Sequence, residues 1–319
     1  MASDILLFFA TDIHGSEACF RKWLNAADGY GADVLVMGGD LTGKVVVPFH
    51  RRNGSWLARW RDDEVRLESR DEVAAFCRRV ADAGAYAWES EPQEAENALA
   101  DEDAAERLFS RLAAERVEKW VELAEERLAA RAGRAFIIAG NDDPPEVDAA
   151  LRHARALVHC DRRVVWIEDW LPMLSLGDST PTPWNSPREL PEEEYEQVLA
   201  ALLEQLGDPG RAVFNLHMPP FGSNLDLAPE LDAELRVRYS AVGEMRQAPV
   251  GGRAVRAAIE RHQPLLGLHG HVHESRGRAK IGRTLCFNPG SDYVQGVLRG
   301  VLVRVSAKRG VRDYVFTAG

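Results

Sequence analysis

Six short apolar runs, each ending in a polar or glycine-rich stretch, constrain this chain more than any other feature. They are Ile5 to Ala10, Val34 to Met37, Phe136 to Ala139, Val164 to Ile167, Val213 to Leu216 and Leu265 to Leu268. Runs of this length bounded by turn-forming residues read as buried strands followed by loops. Stretches of helical spacing, such as Glu17 to Ala27 and Val255 to Arg261, lie between several of them. The alternation predicts an α/β fold. After Arg278 the helical pattern stops, and Lys280 to Phe287, Gly296 to Val305 and Val311 to Phe316 read as the strands of an antiparallel meander.

The acidic segment 61–130 interrupts the alternation with 20 acidic and 10 basic side chains, a net of −10 within a chain whose total is −11. From Asp103 to Ala130, residues including Leu108, Leu112, Val117, Trp120, Val121, Ala124 and Leu128 recur at helical spacing. Residues 50–132 are therefore expected to form a helical acidic insert within a single domain spanning 1–319. The insert reads as a helical hairpin packed on the core with a solvated acidic face, and Ser69 or Ser90 is expected to open its helices. A homo-oligomer, if one forms, is expected to use this insert.

Composition removes several partner classes. With a pI near 5.4, the chain lacks the basic surface that drives bulk nucleic-acid binding. Its longest apolar runs fall far short of the roughly 20 residues that cross a bilayer, and no basic stretch precedes the first of them. A soluble, cytoplasmic protein with no membrane partner is expected. The four cysteines, Cys19, Cys77, Cys160 and Cys286, form no CxxC, so neither a zinc knuckle nor a disulfide framework is suggested.

Five motifs stand where the expected strands end. Asp12-Ile13-His14 pairs a carboxylate and an imidazole two residues apart, on one side of an extended chain; Asp12 alone reads equally as a helix cap. Gly38-Gly39-Asp40 allows a tight backbone turn beside whatever Asp40 binds, or is a turn and nothing more. Gly140-Asn141-Asp142-Asp143 offers a hard, neutral carboxamide oxygen, or an Asx turn before Pro144 and Pro145. His217 closes Val213 to Leu216 and reads alone as a structural hydrogen-bonder. Gly270-His271-Val272-His273 is the rarest, since GHxH is expected by chance only about 0.02 times in a chain of this composition. All five lie at carboxyl ends of strands, where open α/β sheets place their sites.

In this order the motifs resemble those of the calcineurin-like metallophosphoesterases. Gly140 to Asp143, Leu268 to Ser275 and Asn288-Pro289-Gly290-Ser291 are similar to the bacterial and archaeal predicted phosphoesterases of the Icc-related group. The resemblance covers residues 4 to about 305, the acidic insert excepted. It implies a four-layer α/β/β/α sandwich holding two divalent ions. Carried over by position, Asp12, His14 and His273 would hold the first ion, Asn141, His217 and His271 the second, and Asp40 would bridge both. The implied reaction is in-line attack on a phosphodiester or nucleotide-like phosphoester by a hydroxide held between the ions. Mixed oxygen and nitrogen ligation suits manganese, iron or zinc.

The chain departs from the resemblance at Asp142, which stands where many members carry the histidine thought to protonate the leaving oxygen. A carboxyl beside two cations is a poor acid at neutral pH. His269 is the other candidate acid, because an extended His269 to His273 would turn three imidazoles to one side; it reads also as a buried structural residue. Asn288 to Ser291 form a turn beside the substrate or between strands. Thr180, Thr182, Trp184 and Arg188 of the proline-rich stretch 176–191 contact substrate or belong to a surface loop. Three functions remain open: a phosphoesterase acting on a small phosphoester, a non-catalytic scaffold of the same fold, and a nuclease. The seven ligand-capable positions favour the first, and the missing basic groove weighs against the last.

Overall fold

The layering follows from the alternation along the first strand, β1 (Ile5–Ala10). Phe8 and Ala10 enter one apolar cluster, whereas Ile5, Leu7 and Phe9 enter another. A strand buried on both faces needs a layer on each side. The computed structural model describes residues 4–131, 133–240 and 242–319. Met1 to Ser3, at the start of the expected domain, and Ala132, at the end of the expected insert, lie outside the described residues.

After β1 come α1 (Glu17–Gly29), β2 (Val34–Gly38), β3 (Val45–Arg52), β4 (Ser55–Trp60), β5 (Asp63–Leu67), α2 (Arg70–Asp82) and β6 (Ala85–Glu89). Then follow α3 (Pro92–Ala100), α4 (Glu102–Leu128), β7 (Ala135–Ile138), α5 (Val147–Arg152), β8 (Leu157–His159), β9 (Arg163–Glu168), β10 (Leu171–Leu176) and α6 (Glu192–Leu203). The last part holds β11 (Val213–Leu216), β12 (Leu227–Pro229), β13 (Gln247–Pro249), α7 (Arg253–His262), β14 (Leu266–Leu268), β15 (Gly277–Ile281), β16 (Thr284–Asn288), β17 (Arg299–Ser306) and β18 (Gly310–Ala318). No helix among the described residues is long and apolar enough to cross a membrane.

Two six-stranded sheets, ordered β18-β17-β1-β2-β7-β8 and β15-β16-β14-β11-β10-β9, face one another. Leu7, Phe9, Val36 and Ile138 of the first meet Met173, Val213, Leu268 and Phe287 of the second in one shared core. Helices α1, α4 and α5 cover the outer face of the first sheet through Phe20, Trp23, Trp120 and Leu151. Helices α6 and α7 cover the second through Tyr195, Leu199, Val255 and Ile259. The result is the four-layer α/β/β/α sandwich. Strands β1, β2 and β7 pair in parallel, as do β11 and β14. The five motif-bearing loops therefore leave the carboxyl ends of adjacent central strands.

Two sequence expectations need correction. Lys280 to Phe287 is a hairpin of β15 and β16 rather than one strand, because Gly282 turns the chain at φ +60°. That hairpin belongs to the second sheet, while β17 and β18 close the first, so the expected meander is two hairpins in two sheets.

The insert is likewise not a helical hairpin alone. Its first half is a four-stranded sheet, β5-β4-β3-β6, covered by α2 around Val47, Phe49, Phe76 and Val80. The Asn53-Gly54 pair, both at positive φ (+52° and +89°), makes the two-residue connection between β3 and β4. Ser69 caps α2 by accepting from the Glu72 amide, whereas the next helix, α3, starts after Glu91 rather than Ser90.

The second half, α4, is the crossover helix that returns the chain from β2 to β7. Its apolar stripe is turned into the sandwich: Trp120 is buried, stacks on Phe20 with ring centroids 4.3 Å apart, and donates its indole N–H to Glu17 at 2.6 Å. Arg116 reaches from the same helix to the Gly15 carbonyl at 2.6 Å and to the Ala85 carbonyl at 3.3 Å, joining the extra sheet to the loop after β1. The stripe is thus part of the core and is not free to meet a second chain.

Trp120→Ala is expected to lower the unfolding free energy by about 3–5 kcal/mol, read from urea denaturation. Trp166→Ala, at a side chain 61% exposed, should change it by no more than about 0.5 kcal/mol. Replacing residues 61–130 with a short Gly/Ser linker should leave an unfolded or aggregated chain; a soluble, folded deletion would show that α4 is dispensable.

Candidate metal centre

Asp12, His14, Asp40 and His273 each offer a ligand atom, and these atoms lie within 4.8 Å of one another. This group of oxygen and imidazole donors is suited to a divalent metal ion. Asn141, His217 and His271 border it. The Asp40 carboxylate faces both ways: Oδ2 is 3.6 Å from His14 Nε2, and Oδ1 is 3.4 Å from His217 Nε2. Asp12 Oδ1 lies 3.4 Å from His273 Nε2 and 3.9 Å from His217 Nε2. On the far side His271 Nδ1 is 2.7 Å from Asn141 Oδ1. Donation from Asn141 Nδ2 to Asp142 at 2.8 Å turns that amide oxygen toward the histidine.

Local backbone chemistry sets these positions. Asp12, His14, Asp40 and His271 all sit at positive φ, between +37° and +68°. Such conformations cost of order 1–3 kcal/mol each in residues with a Cβ and gather at functional sites. The neighbouring glycines have a steric reason. A Cβ on Gly140 would lie 2.2 Å from Asp40 Oδ1, and one on Gly270 would lie 2.4 Å from Asp12 Oδ2. The carboxylates pack against bare backbone.

The donor set fits a cation. The Gly38 carbonyl, 2.8 Å away, can only accept, so His217 carries a proton on Nδ1 and leaves Nε2 as the atom that would meet a cation. That Nε2 is buried without a hydrogen-bond partner. The Nε2 atoms of His14 and His273 face each other at 2.9 Å. Burial lowers His14 and His271 to about 4, which leaves both imidazoles neutral at pH 7.

Burial alone would raise Asp12, but its hydrogen bond to His273 and the charge of His217 outweigh it and hold the carboxyl at about 2. Asp40 is lowered further still, with His217 and His14 overcoming its burial. His217 moves the other way, to about 10, because Asp40 and Asp12 outweigh its burial, so with no cation present its Nε2 also carries a proton, which a metal ion would displace. Two ionised carboxylates and four imidazoles thus crowd one buried space, an arrangement a divalent cation would suit.

Of the two candidate acids, Asp142 is at the cleft and His269 is not. The chain is not extended through Gly270-His271, since His271 is at φ +68°, so the expected alignment of three imidazoles fails. His269 is fully buried and donates Nδ1–H to the carbonyls of Leu216 at 2.8 Å and Met218 at 3.1 Å, tying β14 to the end of β11. Asp142 accepts from Ser186 at 2.6 Å and pairs with Lys44. Burial would lower the Lys44 ammonium, yet the Asp142 charge outweighs it and the pKa rises.

Asn288 to Ser291 form a positioning turn. Asn288 donates to the carbonyls of Gly270 at 3.3 Å and Val272 at 2.9 Å, and Ser291 donates to the Asp12 carbonyl at 2.6 Å. Thr180, Thr182 and Trp184 line the cleft. Arg188 points elsewhere: it donates to the Asp143 and Pro144 carbonyls and pairs with Asp148.

Two residues carry more than their sequence context announces. Lys44, four positions after Asp40, brings a cation to the cleft. Asp143, second of the acidic pair, accepts from Leu41 N (3.0 Å), Thr42 N (2.8 Å), Thr42 Oγ1 (2.7 Å) and Gly140 N (2.7 Å). It clamps the Asp40 loop to the Asn141 loop; its burial and the charge of Asp40 push its carboxyl up to about 6 against those donors. Asp143→Ala leaves four buried donors without their acceptor. It should cost roughly 2–4 kcal/mol in urea denaturation and weaken manganese binding in calorimetry. A variant as stable and as metal-competent as the wild type would show that the loops hold without the clamp.

No family model matches the chain. The uncharacterized protein MJ1162 of Methanocaldococcus jannaschii is 30% identical over 155 residues, which cover 48% of this chain and 62% of that protein. The chain therefore aligns with about three fifths of this curated relative. Among solved structures, TT1561 of Thermus thermophilus superposes with a TM-score of 0.53 at 13% identity over 99% of both chains. A further crystal structure superposes at 0.56, again at 13% identity over 99% of both chains. With two facing sheets, parallel central strands and the Asp/His group at their carboxyl ends, the chain is a four-layer α/β/β/α sandwich that shares the overall fold of these two structures.

Proposed function

We propose that the protein is a metal-dependent phosphoesterase whose site takes two divalent ions, of manganese, iron or zinc. The observation that carries this reading is the Asp40 carboxylate, one oxygen turned to His14 and the other to His217. In this reading Asp12, His14 and His273 hold one ion, Asn141, His217 and His271 the other, and Asp40 serves both. Bound there, the ions would supply Lewis-acid stabilisation of the phosphoryl oxygens and lower the pKa of water.

The chain's own residues do the rest. Lys44, charged and half-exposed beside the ligands, supplies a cation for a non-bridging phosphoryl oxygen. Asp142 is engaged by Lys44, Ser186 and Asn141, which leaves its carboxylate an acceptor and a poor proton donor. His269 is sealed behind β14. Esters with good leaving groups are therefore favoured, and a phosphodiester or nucleotide-like ester is the form the motifs point to. A binding platform would have no use for four ligand-type residues held in strained backbone, which weighs against the scaffold reading.

Asp40→Ala should remain folded, lose metal in elemental analysis, and hydrolyse bis-p-nitrophenyl phosphate more than about a hundredfold slower with any of the three metals. A variant that keeps both metal content and rate sinks the assignment. Across a series of aryl and alkyl esters, wild-type kcat should fall steeply as leaving-group pKa rises. Asp142→His should flatten that dependence, raising rates on poor leaving groups most. An unchanged slope in that variant would mean that a side chain at position 142 does not reach the leaving oxygen.

A further inference from the structure

The cleft that starts at Asp40, Asn141, His271 and His273 has a volume of about 690 Å³, and its character changes along its length. Near the ligands it is charged. Its other walls are apolar, with Met218 next to His217 and Leu231, Leu235, Val237, Val250 and the Trp184 ring from the ribbon and the proline-rich loop. Three of these side chains remain open to solvent: Trp184 is 64% exposed, Leu235 46% and Val250 40%. Exposed apolar side chains gathered along one groove, rather than scattered singly, mark a binding surface.

This wall is built and anchored. Strands β12 and β13 form a separate ribbon, prolonged by bridges between Leu231 and Val237 and between Tyr239 and Met245. Asp226 secures the base of the ribbon by accepting from the amides of Gly222 (2.7 Å), Ser223 (3.1 Å) and Gly251 (3.2 Å). Ser275, two residues beyond His273, donates to the Leu227 carbonyl at 2.7 Å and accepts the Leu227 amide at 2.9 Å. The apolar wall and the histidine loop thus keep a fixed relation.

Most of the charged groups on the wall are already paired. Glu230 pairs with Arg238 and Arg246, Asp232 and Glu234 pair with Arg236, and the Thr182 hydroxyl donates to Glu189. Among the described residues of the wall, these pairs leave no free cation for a second phosphate; the Thr180 hydroxyl and the Glu274 carboxylate are the polar side chains there without a side-chain partner.

We infer that the substrate is amphiphilic: a phosphoester whose organic group is an aliphatic chain lying along the Trp184, Leu235 and Val250 wall while its phosphoryl group meets the ligand cluster. This rests on the phosphoesterase reading and narrows it away from nucleotides. In the reaction a P–O bond to the water oxygen forms, the P–O bond to the departing alcohol breaks, and one water proton ends on that alcohol.

Calorimetric titration of the full chain with methyl-, butyl- and octylphosphonate tests the inference without turnover. Affinity should rise by about fourfold per buried methylene until the groove is filled, with an increasingly negative heat-capacity change. Adenosine monophosphate should bind more weakly than octylphosphonate. Trp184→Ala and Leu235→Glu should each reduce the chain-length slope, and since both side chains are exposed, two independent variants guard against one misfolding.

In parallel, the metal-loaded chain is assayed on p-nitrophenyl esters of methyl and octyl phosphate. Hydrolysis of both, with affinity indifferent to chain length or with the nucleotide bound more tightly, overturns the inference and leaves the phosphoesterase reading standing. Chain-length-dependent binding without hydrolysis of either ester overturns the phosphoesterase reading, and the inference with it.

Discussion

A carboxylate with almost no access to water sits between the two sheets, and the arrangement around Asp40 answers to it. An ionised group in such a place is tolerated only when its oxygens are all met by positive or hydrogen-bonding partners. Asp40 Oδ1 takes the Asp142 amide at 3.0 Å and faces His217; Oδ2 faces His14. Gly140 lacks a Cβ where one would strike it, and Asp143 fixes the loop that carries it. The burial of charge, the strained backbone and the glycines are one requirement seen from three sides.

The two halves of the cleft follow from different parts of the chain. The charged half comes from loops at the ends of β1, β2, β7, β11 and β14, where the sandwich forces side chains together. The apolar half comes from the 177–191 loop and the β12–β13 ribbon, which lie outside both large sheets. The chemistry of the first half is set by the fold, whereas the shape of the second is free to vary without touching the core.

Much of this is legible in the residues alone. Short apolar runs ending in Asp12-Ile13-His14, Gly39-Asp40, Gly140-Asn141 and Gly270-His271 announce strands and the residues at their tips, because burial on both faces demands unbroken apolar sequence. The four-stranded sheet is hidden behind charge: β4 and β5 alternate Trp56, Ala58 and Val65 with Arg59, Glu64 and Arg66, although Asn53-Gly54 signals the hairpin. The core role of α4 is obscured by its many acids, since the stripe around Trp120 says that something is covered but not what. His269 misleads because the chain bends at His271, and no pattern of residue types reveals a positive φ at a histidine. Lys44 gains its meaning only from Asp142, 98 positions away, a pairing no local spacing can show.

That separation bears on how the protein comes together. Asp40 and Asn141 stand 101 residues apart, and between them the chain builds a whole extra sheet before α4 brings it back. The closure entropy of such an excursion grows only as the logarithm of its length, about 0.6 kcal/mol for each doubling, so the sandwich carries the insertion at little equilibrium cost. The kinetic burden is greater, because contacts of high sequence separation are slow to form. The Asp143 clamp between the two loops joins after that entropy has been spent, so the two sides of the ligand cluster meet only when the excursion has closed.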